Sequence, residues 1–138
     1  MAALAARRVQ LVVASGQRTP KQVSDVLGAQ PDRETWEGRA PEGSTRARPA
    51  RENTWELRES GDGNTDVSEL LARIFDRIYP LRDGLELLRQ DGSRIILSVV
   101  LYVSPSDSTG PGFVLTDTFI GLLAKIGANF EVDQYADS

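Results

Sequence analysis

The sequence predicts an α+β two-layer sandwich: a mixed or antiparallel sheet of about four main strands with helices on one face. Two observations predict it. Apolar residues alternate with polar ones at Val9, Leu11 and Val13, as in a strand, whereas the apolar stripe from Val67 to Ile78 repeats at helical spacing. Such patterns then follow in the order strand, helix, strand, helix pair, strand, helix, strand. This order favours a ferredoxin-like arrangement.

The chain length and composition predict one domain spanning residues 1–138. Apolar residues make up 40% of the 138 residues and charged residues 26%, which is typical of a globular protein. We expect residues 1–7 to be a flexible N-terminus. The apolar run after Arg8 is too short for a signal sequence or a membrane span. We therefore expect a cytoplasmic protein that does not bind a membrane.

The first helix has clear start and stop signals. Thr19 is placed to cap it, Pro20 fits the first helical position, Gln22 completes a capping box and Gly28 ends the helix. Residues 29–50 are rich in Pro, Gly, Arg and Glu, which predicts a long loop with a short strand near Trp36.

The middle of the chain predicts a strand and two helices. Alternation around Trp55 indicates a half-exposed strand near a sheet edge, which could pair with a second copy. Asp66 or Thr65 should cap the next helix, with Glu69 completing a capping box. Pro80 should break that helix, and a short helix should follow up to Gln90.

The C-terminal third predicts a central strand, a helix and a final strand. Residues 94–103 are apolar on both faces, as in a strand covered on both sides. Thr116 should start the last helix and Gly127 should end it, with these side chains buried: Phe119, Ile120, Leu122, Leu123 and Ile126. On the final strand we expect Phe130 and Val132 to point inward, and Glu131 and Asp133 to point outward. The Thr caps and Gly-Ala exits of the first and last helices suggest an internal duplication.

The absence of two residue types excludes several chemistries. The chain has no cysteine and no histidine, so it can form neither a thiolate nor a histidine-based catalytic arrangement. A metal site would need carboxylate and carbonyl oxygens, which favour Mg²⁺ or Ca²⁺. We therefore expect no cofactor and no metal. The net charge of −4 makes nucleic-acid binding unlikely as a class, although Arg46, Arg48 and Arg51 could contact phosphates.

Candidate binding residues lie in three places. Trp36 could anchor the long loop or form the wall of a pocket with Arg39, Trp55 and Asp133, although Trp55 is more typical of the core. Gly110 and Gly112 could expose backbone amides to an anion, but they do not directly precede the helix. Carboxylates on the strands could pair for acid–base work or Mg²⁺ binding, although solvated surface positions are their common use: Glu56, Glu131 and Asp133.

The order and spacing of several motifs resemble a bacterial family of domains of unknown function, numbered 4279. The resemblance covers Val9 to Tyr135, and its motifs include Trp36 to Gly38 and the "GPGFVLT" segment. Further motifs are Thr19 to Gly28, Trp55 to Ser60, Val100 to Val103 and "LLAKIGANFEVDQY". Similar proteins often carry Asp where this chain has Arg39. The resemblance implies a fold but no activity.

Two functions stay open at this point. The missing catalytic machinery, the negative charge and the long loop favour a non-enzymatic protein-binding domain, regulatory or of the immunity type, acting as a monomer or homodimer. The alternative is a small-molecule-binding domain, or an enzyme that works without histidine, with its pocket near Trp36 and Trp55; Gly38 is a further candidate binding residue.

Overall fold

A computed structural model describes residues 6–40, 48–103 and 112–136 of the chain. Within these ranges the chain forms five strands and four α-helices. In chain order they are β1 (Arg7–Ser15), α1 (Pro20–Leu27), β2 (Arg33–Thr35), β3 (Asn53–Gly61), α2 (Val67–Ile78), a 3₁₀ turn (Tyr79–Leu81), α3 (Arg82–Gln90), β4 (Arg94–Val103), α4 (Asp117–Ile126) and β5 (Asn129–Ala136).

The strands form one mixed sheet in the order β2-β3-β1-β4-β5. β1 pairs antiparallel with both β3 and β4, β2 is antiparallel to β3, and β5 is parallel to β4. The α+β prediction is confirmed. The sheet has five strands rather than the predicted four, because the short strand near Trp36 joins it as β2. The ferredoxin-like topology is not confirmed by this strand order.

The core lies between one face of the sheet and the helices. Alternate residues of each strand point to that face, so the register places Leu11 of β1 beside Leu57 of β3 and Leu97 of β4. Helix side chains at helical spacing complete the core, among them Val23, Leu70, Ile74, Leu85, Leu88, Phe119 and Ile126. In the described ranges no helix covers the other face of the sheet, which we call the open face.

The predicted helix ends agree well with the structure. The Thr19 hydroxyl accepts the amide N–H of Gln22 in a full capping box, and Thr116 caps α4 through the amide of Phe119. Gly28 and Gly127 both have left-handed φ values, 68° and 67°, which end their helices as the sequence predicts. Pro80 lies in the 3₁₀ turn that separates α2 from α3.

The cap of α2 differs from its prediction. Asp66 is the cap, but its carboxylate accepts the amide of Ser68, and Glu69 instead binds Arg73 one turn further along the helix. An exposed ion pair at i,i+4 competes for the Glu69 side chain that a capping box would use.

Several side chains differ in burial from expectation, although those on the strands point in the predicted directions. Ile120 is 53% exposed, because the buried stripe of α4 runs through Phe119, Leu122, Leu123 and Ile126 and leaves Ile120 beside it. Phe130 and Val132 share the helix face with Leu97 and Val99, yet remain 38% and 44% exposed at the edge strand. Glu56 does face away from the helices, but it is buried.

The strand around Trp55 is more enclosed than predicted. β3 is not an edge strand, since β2 pairs with it from Thr54 to Glu56, so pairing of this stretch with a second copy is blocked there. The central strand β1 already begins at Arg7, within the predicted flexible segment. The predicted loop 29–50 contains β2 and a bridge between Glu37 and Ala50, while residues 41–47 lie outside the described ranges.

Candidate functional site

The first candidate site surrounds Trp36, directly after β2. The indole N–H of Trp36 donates to the Glu34 carboxylate at 3.0 Å, and the Arg39 guanidinium lies over the indole ring, 4.6 Å from its centroid. Beside the ring is a depression of about 310 Å³ lined by Lys21, Ser24, Asp25, Gln30, Glu34 and Trp36. Its polar and charged lining leaves the indole as its main apolar surface.

The backbone around Gly38 explains why Trp36 and Arg39 meet. Gly38 adopts a φ of 78°, which turns the chain so that its amide donates to the Ala50 carbonyl and the Ala50 amide donates to the Arg39 carbonyl. The Glu37 amide donates to the side chain of Asn53 at 2.8 Å. The role of Gly38 in this geometry is conformational: it allows the turn that holds Trp36 against Arg39.

Trp55 belongs to the core. It is 0% exposed, and its indole N–H donates to the Ser24 hydroxyl of α1 at 3.0 Å, which satisfies the only polar atom of a large buried side chain. Trp55 therefore supports the floor of the Trp36 depression through Ser24, but has no surface of its own for a ligand.

The four residues of the predicted pocket are not brought together. Trp36 follows β2 at one edge of the sheet and Asp133 lies on β5 at the other edge. Four strand spacings, about 19 Å in total, separate these edges. Sequence reasoning could place both residues near a sheet, but strand order depends on non-local pairing that residue patterns do not encode.

The remaining predicted residues contribute less. Gly112 is exposed with open space around it, and Gly110 and Arg46 lie outside the described residues. Arg48 and Arg51 are exposed. Glu56 binds Arg58 on the same strand, β3, at 2.9 Å. Because β1 and β4 lie between β3 and β5, Glu56 is far from Glu131 and Asp133. Among the described residues, no three carboxylates lie close enough to hold a metal ion together.

A second candidate site is an apolar groove between α2 and the start of α4, which the sequence reasoning missed. Its volume is about 280 Å³, and its lining includes Leu71, Ala72, Phe75, Val114 and Phe119. Phe75 meets Phe119 edge-on at 5.2 Å between ring centroids, which fixes the groove floor. The exposed side chain of Val114 forms one wall. The only sequence signal was the helical stripe of α2, which cannot show that one side of it stays open.

A third candidate site is the outer edge of β5, also missed by the sequence reasoning. The structure exposes Phe130, Val132 and Tyr135 together along one eight-residue strand. Phe130 meets Phe113 edge-on at 6.3 Å, and Tyr135 stacks on Tyr102 at 5.3 Å. Glu131 and Asp133 alternate with the apolar side chains. The strand thus presents aromatic and aliphatic surface on both of its faces.

An ion-pair network stiffens the opposite edge of the sheet. Arg77 of α2 donates to both carboxylate oxygens of Asp32, at 2.7 and 3.0 Å, and to Glu59 at 2.8 Å. Asp32 also accepts the backbone amide of Arg58 at 2.8 Å. The Arg77 hydrogen bond holds the pKa of Asp32 below its ordinary value, against partial burial, which acts to raise it. This network links the segment entering β2, and β3 itself, to α2.

Comparison with known proteins identifies the family of this fold. Residues 5–137 match the family described as Domain of unknown function (DUF4279), which spans nearly the whole chain. The chain therefore belongs to that family, as its motif order indicates. No curated protein and no solved structure matches it. No helix in the described parts of the chain is long and apolar enough to cross a membrane.

Proposed function

We propose that this chain is a non-enzymatic protein-binding domain of a regulatory or immunity type, and that the β5 edge is its binding surface. The observation that supports this proposal is the exposure of Phe130, Val132 and Tyr135, at 38%, 44% and 51%, along one strand. Phe130 and Val132 lie on the helix face of this strand and Tyr135 on the open face. Exposed apolar clusters are typical of protein interfaces, where aromatic residues are enriched among those that carry most of the binding energy.

The charge of the chain supports the same function. A net charge of −4 favours encounter with a basic partner, and two carboxylates, Glu131 and Asp133, lie on the proposed surface itself. Long-range attraction of this kind raises association rates and suppresses binding of acidic proteins.

The test compares partner recovery by two matched double variants. Val132→Ser/Tyr135→Ser removes an aliphatic and an aromatic side chain from the β5 edge. Leu87→Ser/Tyr79→Ser makes the same kind of change at exposed positions of α3 and the 3₁₀ turn. Tagged proteins at native expression level are recovered from source cells, and partners are quantified by mass spectrometry, after thermal melts have shown that both variants fold.

We expect a partner that the unaltered chain and the α3 variant recover equally, and that the β5 variant loses at least tenfold. Equal recovery by all three proteins would remove the β5 edge as the binding surface. If the unaltered chain recovers no partner at all, the protein-binding function itself fails.

Small-molecule binding is the second candidate function, supported by the apolar groove between α2 and α4. Its volume of about 280 Å³ is close to the lower end of ligand pockets, about 300–1,000 Å³, and its lining is largely apolar. The Trp36 depression is the alternative place for a ligand of more polar chemistry.

Two variants separate these ligand sites. Ala72→Phe fills the groove, whereas Trp36→Ala removes the main apolar wall of the depression. A metabolite that raises the melting temperature of the unaltered chain should lose its effect in one variant and keep it in the other. A library without any stabilising compound would count against small-molecule binding.

A further inference from the structure

We propose that β5 binds an extended segment of the partner, whose side chains alternate between basic and apolar, and adds it to the sheet as a further strand. The inference rests on the proposed protein-binding function and names the chemistry of the partner. It concerns strand Asn129–Ala136 and the two faces that its side chains present.

The hydrogen-bonding edge of β5 is available in the described part of the chain. The strand has eight residues and pairs there with β4 alone, so its outer N–H and C=O groups face away from the sheet. Such an edge is a template for another strand, whose main chain supplies affinity and whose alternate side chains supply specificity.

The alternation of β5 defines what a partner strand must present. The register with β4 places Phe130 and Val132 on the helix face beside Leu97 and Val99, and Glu131 and Asp133 on the open face. Directly opposite residues of two paired strands have side chains about 4.5–5.5 Å apart and on the same face. A complementary strand therefore carries apolar residues on one face and basic residues on the other, two positions apart.

The two carboxylates are not committed to ion pairs inside the fold. Neither Glu131 nor Asp133 forms a salt bridge among the described residues, and their neighbours on β4, Ser98 and Val100, carry no charge. A cationic side chain on an added strand would lie directly opposite them. This charge complementarity favours a basic segment over a neutral or acidic one.

A second copy of the chain fits this edge poorly. Two copies of β5 can pair antiparallel with the helix faces of both sheets on the same side. The longest overlaps of this kind place Glu131 opposite Asp133 of the other copy, or Asp133 opposite Asp133 of the other copy. Like charges directly opposite each other destabilise strand pairing. The same carboxylates that attract a basic strand therefore oppose a β5–β5 homodimer, and a different chain is the better occupant.

The experiment uses two synthetic probe peptides on the full chain. One is acetyl-(Lys-Val)₄-amide and the other is acetyl-(Glu-Val)₄-amide, which have the same alternation and opposite charge. Binding is measured by titration calorimetry, and its location by chemical-shift changes of backbone amides. We expect the Lys-Val peptide to bind at least tenfold more tightly than the Glu-Val peptide, with the largest shifts at Asn129–Ala136 and an affinity that falls with salt.

A charge swap tests whether the two carboxylates of β5 determine which peptide binds more tightly. Glu131→Lys/Asp133→Lys should reverse the preference, so that the Glu-Val peptide binds more tightly. The control Glu37→Lys/Asp83→Lys makes the same change in charge on exposed residues away from β5 and should keep the native preference.

The outcomes separate strand addition from protein binding in general. An unchanged preference in the β5 charge swap, or amide shifts located away from β5, would overturn strand addition. The same conclusion follows if neither peptide binds while the natural partner is recovered by the unaltered chain and lost by Val132→Ser/Tyr135→Ser. In that case the protein-binding function would stand without this mode of binding.

Discussion

The two tryptophans show how a single residue type takes opposite roles in this protein. Trp55 alternates with polar neighbours along β3 and is fully enclosed, so its strand pattern sufficed to predict its burial. Trp36 is only half-buried and is held by Glu34 and Arg39. Its environment could not be predicted, because it depends on the turn at Gly38 and on a bridge to Ala50, which is distant in sequence.

The hydrogen bond from Trp55 to Ser24 is testable at the residue scale. Trp55→Phe removes the donor and leaves a cavity, so we expect a loss of about 2–4 kcal/mol in the free energy of unfolding. Ser24→Ala leaves the buried indole N–H without a partner, and should cost about 1–3 kcal/mol. Urea unfolding of each variant gives these values.

The double variant Trp55→Phe/Ser24→Ala distinguishes a hydrogen bond from mere packing. Once the donor is gone, removal of the acceptor should cost much less than it does alone, so the double variant should be more stable than the sum of the single losses predicts. Strictly additive losses would show that the 3.0 Å contact contributes no coupling energy.

At the scale of elements, helix ends were the most predictable features of the chain. Thr19, Gly28, Thr116 and Gly127 each lie where the sequence places them, because caps and left-handed stops depend on a few adjacent residues. The α2 cap was predicted only in part, because the Glu69 side chain pairs with Arg73 instead of completing a capping box with Asp66.

The caps of α1 and α4 should therefore contribute similar stability. We expect Thr19→Ala and Thr116→Ala each to lower the free energy of unfolding by about 1 kcal/mol, because each loses the acceptor for a first-turn amide. The control is Thr118→Ala, at the second residue of α4, which is not a cap. It should change stability by less than about 0.5 kcal/mol. Equal effects at Thr116 and Thr118 would contradict a capping role for Thr116.

The ion-pair network between α2 and the β2–β3 edge predicts a pH dependence. Because Arg77 holds the pKa of Asp32 below its ordinary value of 3.8, the carboxylate stabilises the fold fully above that value. This contribution is lost as the pH falls through the lowered pKa. The carboxylate is partly exposed, so we expect the contribution to be about 1 kcal/mol or less.

Asp32→Asn isolates that contribution. The unaltered chain should be more stable than the variant at neutral pH, and the difference should shrink as the pH is lowered below about 4, as measured by urea unfolding across a pH series. Asp25→Asn, which removes an exposed i,i+4 pair with Lys21, is the control and should cost only about 0.3–0.5 kcal/mol. A stability difference for Asp32→Asn that stays constant down to acidic pH would contradict the role of the ionised carboxylate.

For the whole molecule, the sequence predicted the fold class and most elements but not their arrangement. Alternation and helical stripes are local, so they located β1, β4, α2 and α4. The strand order is set by pairing between segments that are distant in sequence. The exposures of Ile120 and Val132 depend on where the helix layer ends, which is also a non-local property. The candidate surfaces on β5 and between α2 and α4 follow from that arrangement and had no sequence motif of their own.

The arrangement also predicts which groups would oppose association of the molecule with a second copy. The edge of β5 exposes apolar side chains, and we expect the charges of Glu131 and Asp133 to oppose its pairing with another copy. Glu131→Gln/Asp133→Asn keeps the shape of both side chains and removes their charge. We expect the unaltered chain to sediment as a monomer across a dilution series, and the variant to shift towards a dimer as concentration rises. Glu34→Gln/Glu37→Gln, with the same change in charge at the β2 edge, should remain monomeric. A β5 variant that stays monomeric throughout, or a control that associates equally, would show that these two carboxylates do not govern self-association.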